Sequence, residues 1–386
     1  ETGYNLKDES ELFDMIYTGT ETRDPQYTQQ HLPRYLSYFI MRYLENVKPG
    51  KNGGGWFDPF ECGYNPASYA DQGYLTLFGK AAEVTLFSLG SLISRDFSLF
   101  VPIAGHVLDS ADEFLGELGN PVGTATYIPY HSHGEDFLHN YMGMLGIPLE
   151  PYPTYPSGRN VFLTQSAACD DTILEKIQGT LLSGHDVIVT TGLLEKLQDR
   201  GFGNLASIRA TGRKSNVQNF GISKEGVIIQ GATFSDKQIL LPQVEYCTND
   251  VWQLVCAFGN ENNFPVLLKT TYGKGSLYVL TMPDDFGDLY HYPREALNSI
   301  RRAFGTESGM ELDSPANIGL FTYDNGTFVV KSFLPHPQEV TLTMPKPDVQ
   351  LMDVVSGNAL QGQCKDQKTS FRLVLAPMSH RAYKIF

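Results

Sequence analysis

Two short stretches near the start of the chain hold carboxylates and aromatic rings at a spacing suited to chemistry on a sugar. In "YTGTETRDP", residues 17–25, the period-two alternation of a strand puts Tyr17, Gly19 and Glu21 on one face and Ile16, Thr18 and Thr20 on the other. In "GWFDPFEC", residues 55–62, Trp56 and Asp58 share a face and Glu61 lies just beyond Pro59. If the two runs are parallel neighbours, Glu21 and Asp58 both stand at the carboxyl edge of the sheet, where barrel enzymes assemble their sites. Two carboxylates beside a Trp suit glycosidic-bond hydrolysis: one protonates the leaving oxygen while the other attacks the sugar or activates water. The plain alternative is that Glu21 and Asp24 pair with Arg23 or Arg34, or cap a helix, while Asp58 and Glu61 are solvated loop acids.

A second cluster, "PYHSHGEDFLHNY", gathers His131, His133, Glu135, Asp136 and His139. HxH with nearby acids can bind a metal, with His133 and His139 close if the helix begins early, but no HExxH or similar pattern is present and no metal is expected. Glu135 and Asp136 read as acids favoured in the first turn of a helix, and His131 and His133 as rim contacts to a substrate. Cys169 in "QSAACDDT" invites comparison with a nucleophile elbow. Asp170 and Asp171 follow it where an elbow needs a small residue, and their charge raises a thiol pKa, so thiol catalysis is rejected. "YGKGSLYVLTMP" contains no phosphate-binding pattern, and no cofactor is expected.

These residues need elements to hold them. Phe13 to Thr20 reads as a strand, and residues 31–48, with Tyr35, Leu36, Phe39, Ile40, Tyr43, Leu44 and Val47 at helical spacing, as an amphipathic helix. "KPGKNGGG" breaks that helix and gives way to the short apolar run "GWFDPF". A helix over about 68–81, a strand in "EVTLFSLGSLI" and a helix over 102–118 complete three strand-helix units, hence parallel strands. Three units are too few for a closed barrel, and "ETGYNLKDES" reads as the tail of an earlier helix and its loop. The expectation is therefore the last three units of an eight-unit barrel, with a small open sheet as the alternative.

"GNPVGTATYIPYHSHGEDF", residues 119–137, looks like a boundary loop. A second α/β pattern follows, with a helix at 135–146, strands in "VFLTQ", "DVIVTTG" and "GKGSLYVLTM", helices at 170–183 and 292–304, and mixed strand and loop over 206–270. From about 314 the chain turns to short alternating strands, with Asp324-Asn325-Gly326 as a hairpin turn. The expected division is 1–120, 121–310 and 311–386, which suits a 386-residue chain too long for one core.

The net charge of −14 argues against a nucleic-acid partner, because phosphate binding needs a basic stripe. Five scattered cysteines signal neither a zinc site nor a disulfide framework. No apolar run reaches about 18 residues, so no membrane partner is expected. The chain reads as soluble, with the periplasm and the exterior among the compartments left open.

The order of modules resembles the multidomain β-galactosidases of glycoside hydrolase family 42. The resemblance rests on a barrel end, then "NVFLTQSAACDDTILEKIQGTLLSGHDVIVTTG" and "GKGSLYVLTMPDDFGDLYHYPREALNSIRRAF", then a terminal β domain. It implies the C-terminal part of a (β/α)8 barrel, an amidotransferase-like α/β domain that serves assembly into a homo-oligomer, and a small antiparallel β-sandwich. It also implies a retaining mechanism on an oligo- or polysaccharide, with the acid/base on the fourth barrel strand and the nucleophile on the seventh. With the three strands counted as the last three of the barrel, Asp58 or Glu61 is the implied nucleophile. The family uses Glu there, whereas Asp58 fits the strand face. Glu21, with Arg23 and Tyr17, is then a substrate ligand, and the acid/base lies in sequence before residue 1. On that count the chain alone should hydrolyse little or nothing. The rivals are a non-catalytic carbohydrate-binding or assembly protein and a Cys-dependent hydrolase of the middle domain.

Overall fold

The structure is a computed structural model that describes residues 5–22, 32–62, 65–224, 227–259 and 262–386. The first part runs α1 (Leu6–Leu12), β1 (Ile16–Gly19), α2 (Leu36–Val47), β2 (Asn52–Phe57), α3 (Pro66–Phe78), β3 (Glu83–Leu86), α4 (Leu89–Leu92) and α5 (Phe100–Leu115). Its strands form a parallel sheet in the order β1-β2-β3, with helices as crossovers. Residues 6–12 are not the loop after an earlier helix but a helix of their own. Asn5 caps α1, its side-chain oxygen accepting the Asp8 amide at 3.2 Å.

The glycine run read as a helix breaker lies inside β2. Gly54 has φ +127, and a Cβ there would run into the Glu83 backbone, so only glycine allows the close approach of β2 and β3. One face of the sheet is covered by helices: Phe57, Tyr69, Leu92, Phe100 and Ala104 form a buried cluster. Thr20 points to the same side, donating to the Trp56 carbonyl and accepting from the Thr76 hydroxyl at 2.7 Å.

The second part contains β4 (Pro121–Val122), β5 (Thr124–Tyr127), α6 (Leu138–Met144), β6 (Leu149–Tyr152), β7 (Val161–Leu163), α7 (Ile173–Leu182), β8 (Val187–Thr190) and α8 (Thr191–Leu197). It continues through β9 (Ile208–Lys224), β10 (Val227–Tyr246), β11 (Val251–Gly259), β12 (Asn262–Tyr272), β13 (Gly275–Leu280) and α9 (Arg294–Phe304). The nine-stranded sheet has the order β10-β9-β11-β12-β13-β8-β7-β5-β6. Neighbours among β6, β5, β7, β8 and β13 run parallel, and β9 to β12 are antiparallel.

Two features depart from the sequence reading. The boundary loop at 119–137 contains β5, a fully buried interior strand, and "LEPY" forms its neighbour β6 despite Pro151. The stretch at 206–270 is a set of long antiparallel strands, of which β10 has 20 residues.

The last part holds β14 (Glu311–Asp313), β15 (Ile318–Tyr323), β16 (Thr327–Ser332), β17 (Gln338–Met344), β18 (Gln350–Asp353), β19 (Ala359–Gln361), β20 (Gln363–Lys365), β21 (Lys368–Leu375) and β22 (His380–Ile385). They make two antiparallel sheets, β14-β17-β21-β20 and β19-β18-β22-β16-β15-β4, around one apolar cluster. Gly326, at φ +77, turns β15 into β16 as the Asp-Asn-Gly signal requires.

Three contacts lock the parts together. Tyr35, Tyr38 and Phe78 pack on Phe321 with ring centroids 4.9 to 5.6 Å apart. Arg42 of α2 reaches Glu150 of β6 at 2.7 Å. Asp71 of α3 takes Lys331 of β16 at 2.7 Å and Arg34 at 2.5 Å, with Lys331 fully buried. Among the described residues no helix is long and apolar enough to cross a membrane.

Candidate active site

The register of the three parallel strands aligns the residues singled out in the sequence. Tyr17 pairs with Gly54, Gly19 with Trp56, and Trp56 with Thr85. Pairing runs past the strand ends, with the Thr20 amide on the Trp56 carbonyl at 2.8 Å and the Phe87 amide on the Phe57 carbonyl at 3.0 Å. Glu21, Asp58 and Phe87 therefore follow the carboxyl ends of neighbouring strands.

On the face away from the helices the side chains form an aromatic row. Tyr17 stacks on Trp56 with centroids 5.9 Å apart and planes at 17°, and Trp56 lies 6.1 Å from Phe87, which is 45% exposed. The small opposing glycines leave room for the Tyr17 ring, whose hydroxyl donates to the Gly55 carbonyl at 3.1 Å and sits 2.6 Å from the Thr85 hydroxyl. Such a row offers flat apolar faces to a ring-shaped ligand.

Glu21 follows on the same face and folds back over Gly19, where its carboxylate occupies the space a side chain would fill. Its Oε2 is buried with no hydrogen-bond partner among the described residues, as is the Thr22 hydroxyl. A carboxylate oxygen held out of water without a donor is costly, and it is ready to accept one.

Asp58 is not a solvated loop acid, because it is only 2% exposed. Its Oδ1 accepts the Phe60 amide at 3.0 Å, and its own amide donates to Gln72 Oε1 at 3.2 Å. Gln72, on α3, also donates from Nε2 to the Thr22 carbonyl at 3.0 Å. One buried amide thus ties the loop after β1 to the loop after β2, a link the sequence reading missed. The available signal was a Gln set among apolar residues in the helix "PASYADQGYLTLF". Glu61 is exposed and stands at φ +57 in the turn beyond Asp58. Arg23 and Asp24 lie outside the described residues.

The histidine cluster separates. His131, at φ +60 and exposed, sets Nε2 3.1 Å from Asn5 Oδ1, so its ring is engaged by the N-cap of α1, and His133 is exposed on the same loop. His139 is buried against Phe39, with Nε2 2.8 Å from the Thr126 hydroxyl, and burial lowers its pKa to about 3, so it stays neutral. Glu135 is not a first-turn acid, since α6 starts at Leu138. Its carboxylate instead accepts from the Gln165 amide at 2.7 Å and the Thr190 hydroxyl at 2.5 Å. Among the described residues no group of three or more His, Cys, Asp or Glu is arranged to hold a metal.

The cysteines are free thiols among the described residues. Partial desolvation and the neighbouring Asp170 push the Cys169 thiol up, away from reactivity. Asp170 is held down at about 2: burial raises it, but hydrogen bonds from Lys176 and Thr172 outweigh that.

Three parallel strand-helix units, a doubly wound α/β sheet and a β-sandwich, in that order, give the chain the fold of multidomain glycoside hydrolases of the barrel type. Residues 1–100 match the family model of a probable glycosyl hydrolase catalytic domain, and residues 309–385 that of a probable glycosyl hydrolase C-terminal domain. Residues 119–285 match the second domain of uncharacterized protein SSO3021.

That protein, from Saccharolobus solfataricus, is 25% identical to this chain over 96% of it. The chain spans 65% of the length of this curated relative. α-L-Fucosidase isoenzyme 2 from Paenibacillus thiaminolyticus superposes with a TM-score of 0.62 at 13% identity, covering 99% of this chain and 66% of that one. The GH42 β-galactosidase Gan42B from G. stearothermophilus, in the form of a catalytic mutant, gives 0.54 at 9% identity, covering 99% and 61%.

Proposed function

We propose that the carboxyl edge of the β1-β2-β3 sheet is one part of a glycoside hydrolase active site that acts on an oligo- or polysaccharide through two carboxylates. The observation that carries this reading is Glu21. Its buried oxygen, unpartnered among the described residues, lies beside the Tyr17–Trp56–Phe87 row, within the segment that matches a probable glycosyl hydrolase catalytic domain. A sugar stacked on Trp56 would offer its hydroxyls to that oxygen, so Glu21, Tyr17 and Trp56 act as substrate ligands; Arg23, a ligand on the sequence reading, lies outside the described residues. Asp58 or Glu61, one strand along, supplies the nucleophile. Asp58 has the placement, with Gln72 holding its amide, and Glu61 has the exposure. Among the described residues both outer strands of this sheet present free edges, and the second carboxylate of the pair comes from strands added there. His131 and His133 are rim contacts.

Turnover of p-nitrophenyl β-D-galactoside tests the proposal, measured for this chain and for a longer protein that closes the barrel. The expected result is turnover only in the closed barrel, abolished by Asp58→Ala or Glu61→Ala. Azide should restore turnover to the variant that has lost the nucleophile, because a small anion can occupy its place. Equal turnover by this chain, or full activity in both variants, would remove the two-carboxylate reading.

A further inference from the structure

The sheet of the second part carries a feature that the hydrolase reading does not use. Its parallel strands stand in the order β6-β5-β7-β8-β13, which is 2-1-3-4-5 in order of appearance. From β5 the chain crosses to β6 on one side, and from β6 it crosses to β7 on the other. The loops leaving the carboxyl ends of β5 and β7 therefore diverge. In doubly wound sheets the crevice at this reversal is where ligands bind.

A cavity of about 200 Å³ lies at that point, closed on its other side by α2. Phe39, Tyr43 and Phe137 give it aromatic walls, and Glu135, Asn140 and Ser166 give it polar ones. Among the described residues no Lys or Arg lines it, and its imidazole, His139, is buried and neutral. Asn140 is only 2% exposed, yet its Oδ1 has no hydrogen-bond partner among the described residues. Glu135 takes neutral donors, the Gln165 and Gly192 amides and the Thr190 hydroxyl, and no cation among the described residues pairs with it. The cavity thus offers acceptors and aromatic faces and supplies no positive charge of its own.

We propose that this cavity at the β5/β7 reversal binds a small primary ammonium ligand, whose N–H groups bond Asn140 Oδ1 and Glu135 while its carbon atoms pack on Phe39 and Tyr43. The charge comes from the ligand, and the aromatic faces add a cation–π contribution. Its lining contains none of Tyr17, Glu21, Trp56, Asp58, Glu61 and Phe87, so the proposal does not rest on what the carboxyl edge of the β1-β2-β3 sheet does.

The test is titration of the whole chain with ethanolamine, followed by saturation-transfer NMR and by thermal unfolding. Tetramethylammonium, which has no N–H, and acetamide, which has no charge, serve as controls. Asn140→Leu keeps the size while removing the unpaired carbonyl, so it should fold at least as stably as the parent. Ile40→Phe narrows the cavity from α2 and leaves Glu135 and Asn140 in place. The proposal expects saturable ethanolamine binding by the parent, weakened at least ten-fold in both variants and against both controls. It is overturned if the parent shows no saturable binding, if either control binds as well as ethanolamine, or if either folded variant keeps the parent's affinity.

Discussion

A methyl group at Gly19 separates the position of the Glu21 carboxylate from its presence. Gly19 lies on β1 opposite Trp56, and its φ is outside the left-handed region, so alanine there carries no backbone strain. A Cβ at this position would overlap Glu21 Oε2, with the carboxylate carbon 2.8 Å away and Oε1 2.9 Å away. Ordinary contact begins at 3.4 Å, so the carbon must retreat to that distance and Oε2 further still, a shift of about 1 Å. The atoms that move are the far end of a flexible side chain, so the fold should change by no more than about 0.5 kcal/mol. A ligand that bonds this carboxylate loses a charge-assisted hydrogen bond, about 1.5–3 kcal/mol or roughly ten- to hundred-fold in affinity. Calorimetric titration of Gly19→Ala with p-nitrophenyl β-D-galactoside, beside a thermal melt, reads both quantities. Parent-like affinity in a well-folded Gly19→Ala protein would refute the placement argument, and collapse of the fold would refute the claim that Glu21 yields easily.

Arg42→Met should cost about 3–5 kcal/mol at neutral pH in urea unfolding, because it leaves the Glu150 carboxylate buried without its cation. Burial raises the Glu150 pKa above 4.5 even while Arg42 and Asn46 lower it, and without Arg42 it rises further. A folded pKa above the unfolded one means stability is lost as pH rises between them, so the deficit should shrink as the pH is lowered from neutral. A deficit that grows on acidification contradicts this. Gly326→Val forces a β-branched residue to φ +77 in the β15–β16 turn and should lower the melting temperature, by about 1–2 kcal/mol of stability. Cys169→Ser should leave aryl glycoside binding by this chain, and turnover by the closed barrel, unchanged, and any loss would revive a thiol-dependent reaction.

The sequence carries the parts of this fold that depend on periodicity. Ala296, Ile300 and Phe304 share the buried face of α9 as their spacing demands, and Tyr17, Gly19 and Glu21 alternate onto one face of the sheet. What stayed hidden depends on three-dimensional neighbours. The β2 glycines look like a helix breaker until β3 is seen against Gly54. Interior strand β5 is only four residues long and sits among Gly, Pro and His, which read as loop. Glu135 looks like a helix-start acid because its partners, the Gln165 and Gly192 amides and the Thr190 hydroxyl, come from loops and strands far along the chain. At the candidate site, residue types and strand faces were legible, whereas the Gln72 link between Thr22 and Asp58 required the packed helix.

The most direct measurement is the calorimetric affinity of this chain for p-nitrophenyl β-D-galactoside before and after Glu21→Gln, a change that keeps shape and removes charge. If the carboxyl edge of the three-stranded sheet is part of a sugar site, the parent binds and the variant, equally folded, binds at least about ten-fold more weakly. Equal affinity in the two proteins, or no binding by the parent, would contradict the account.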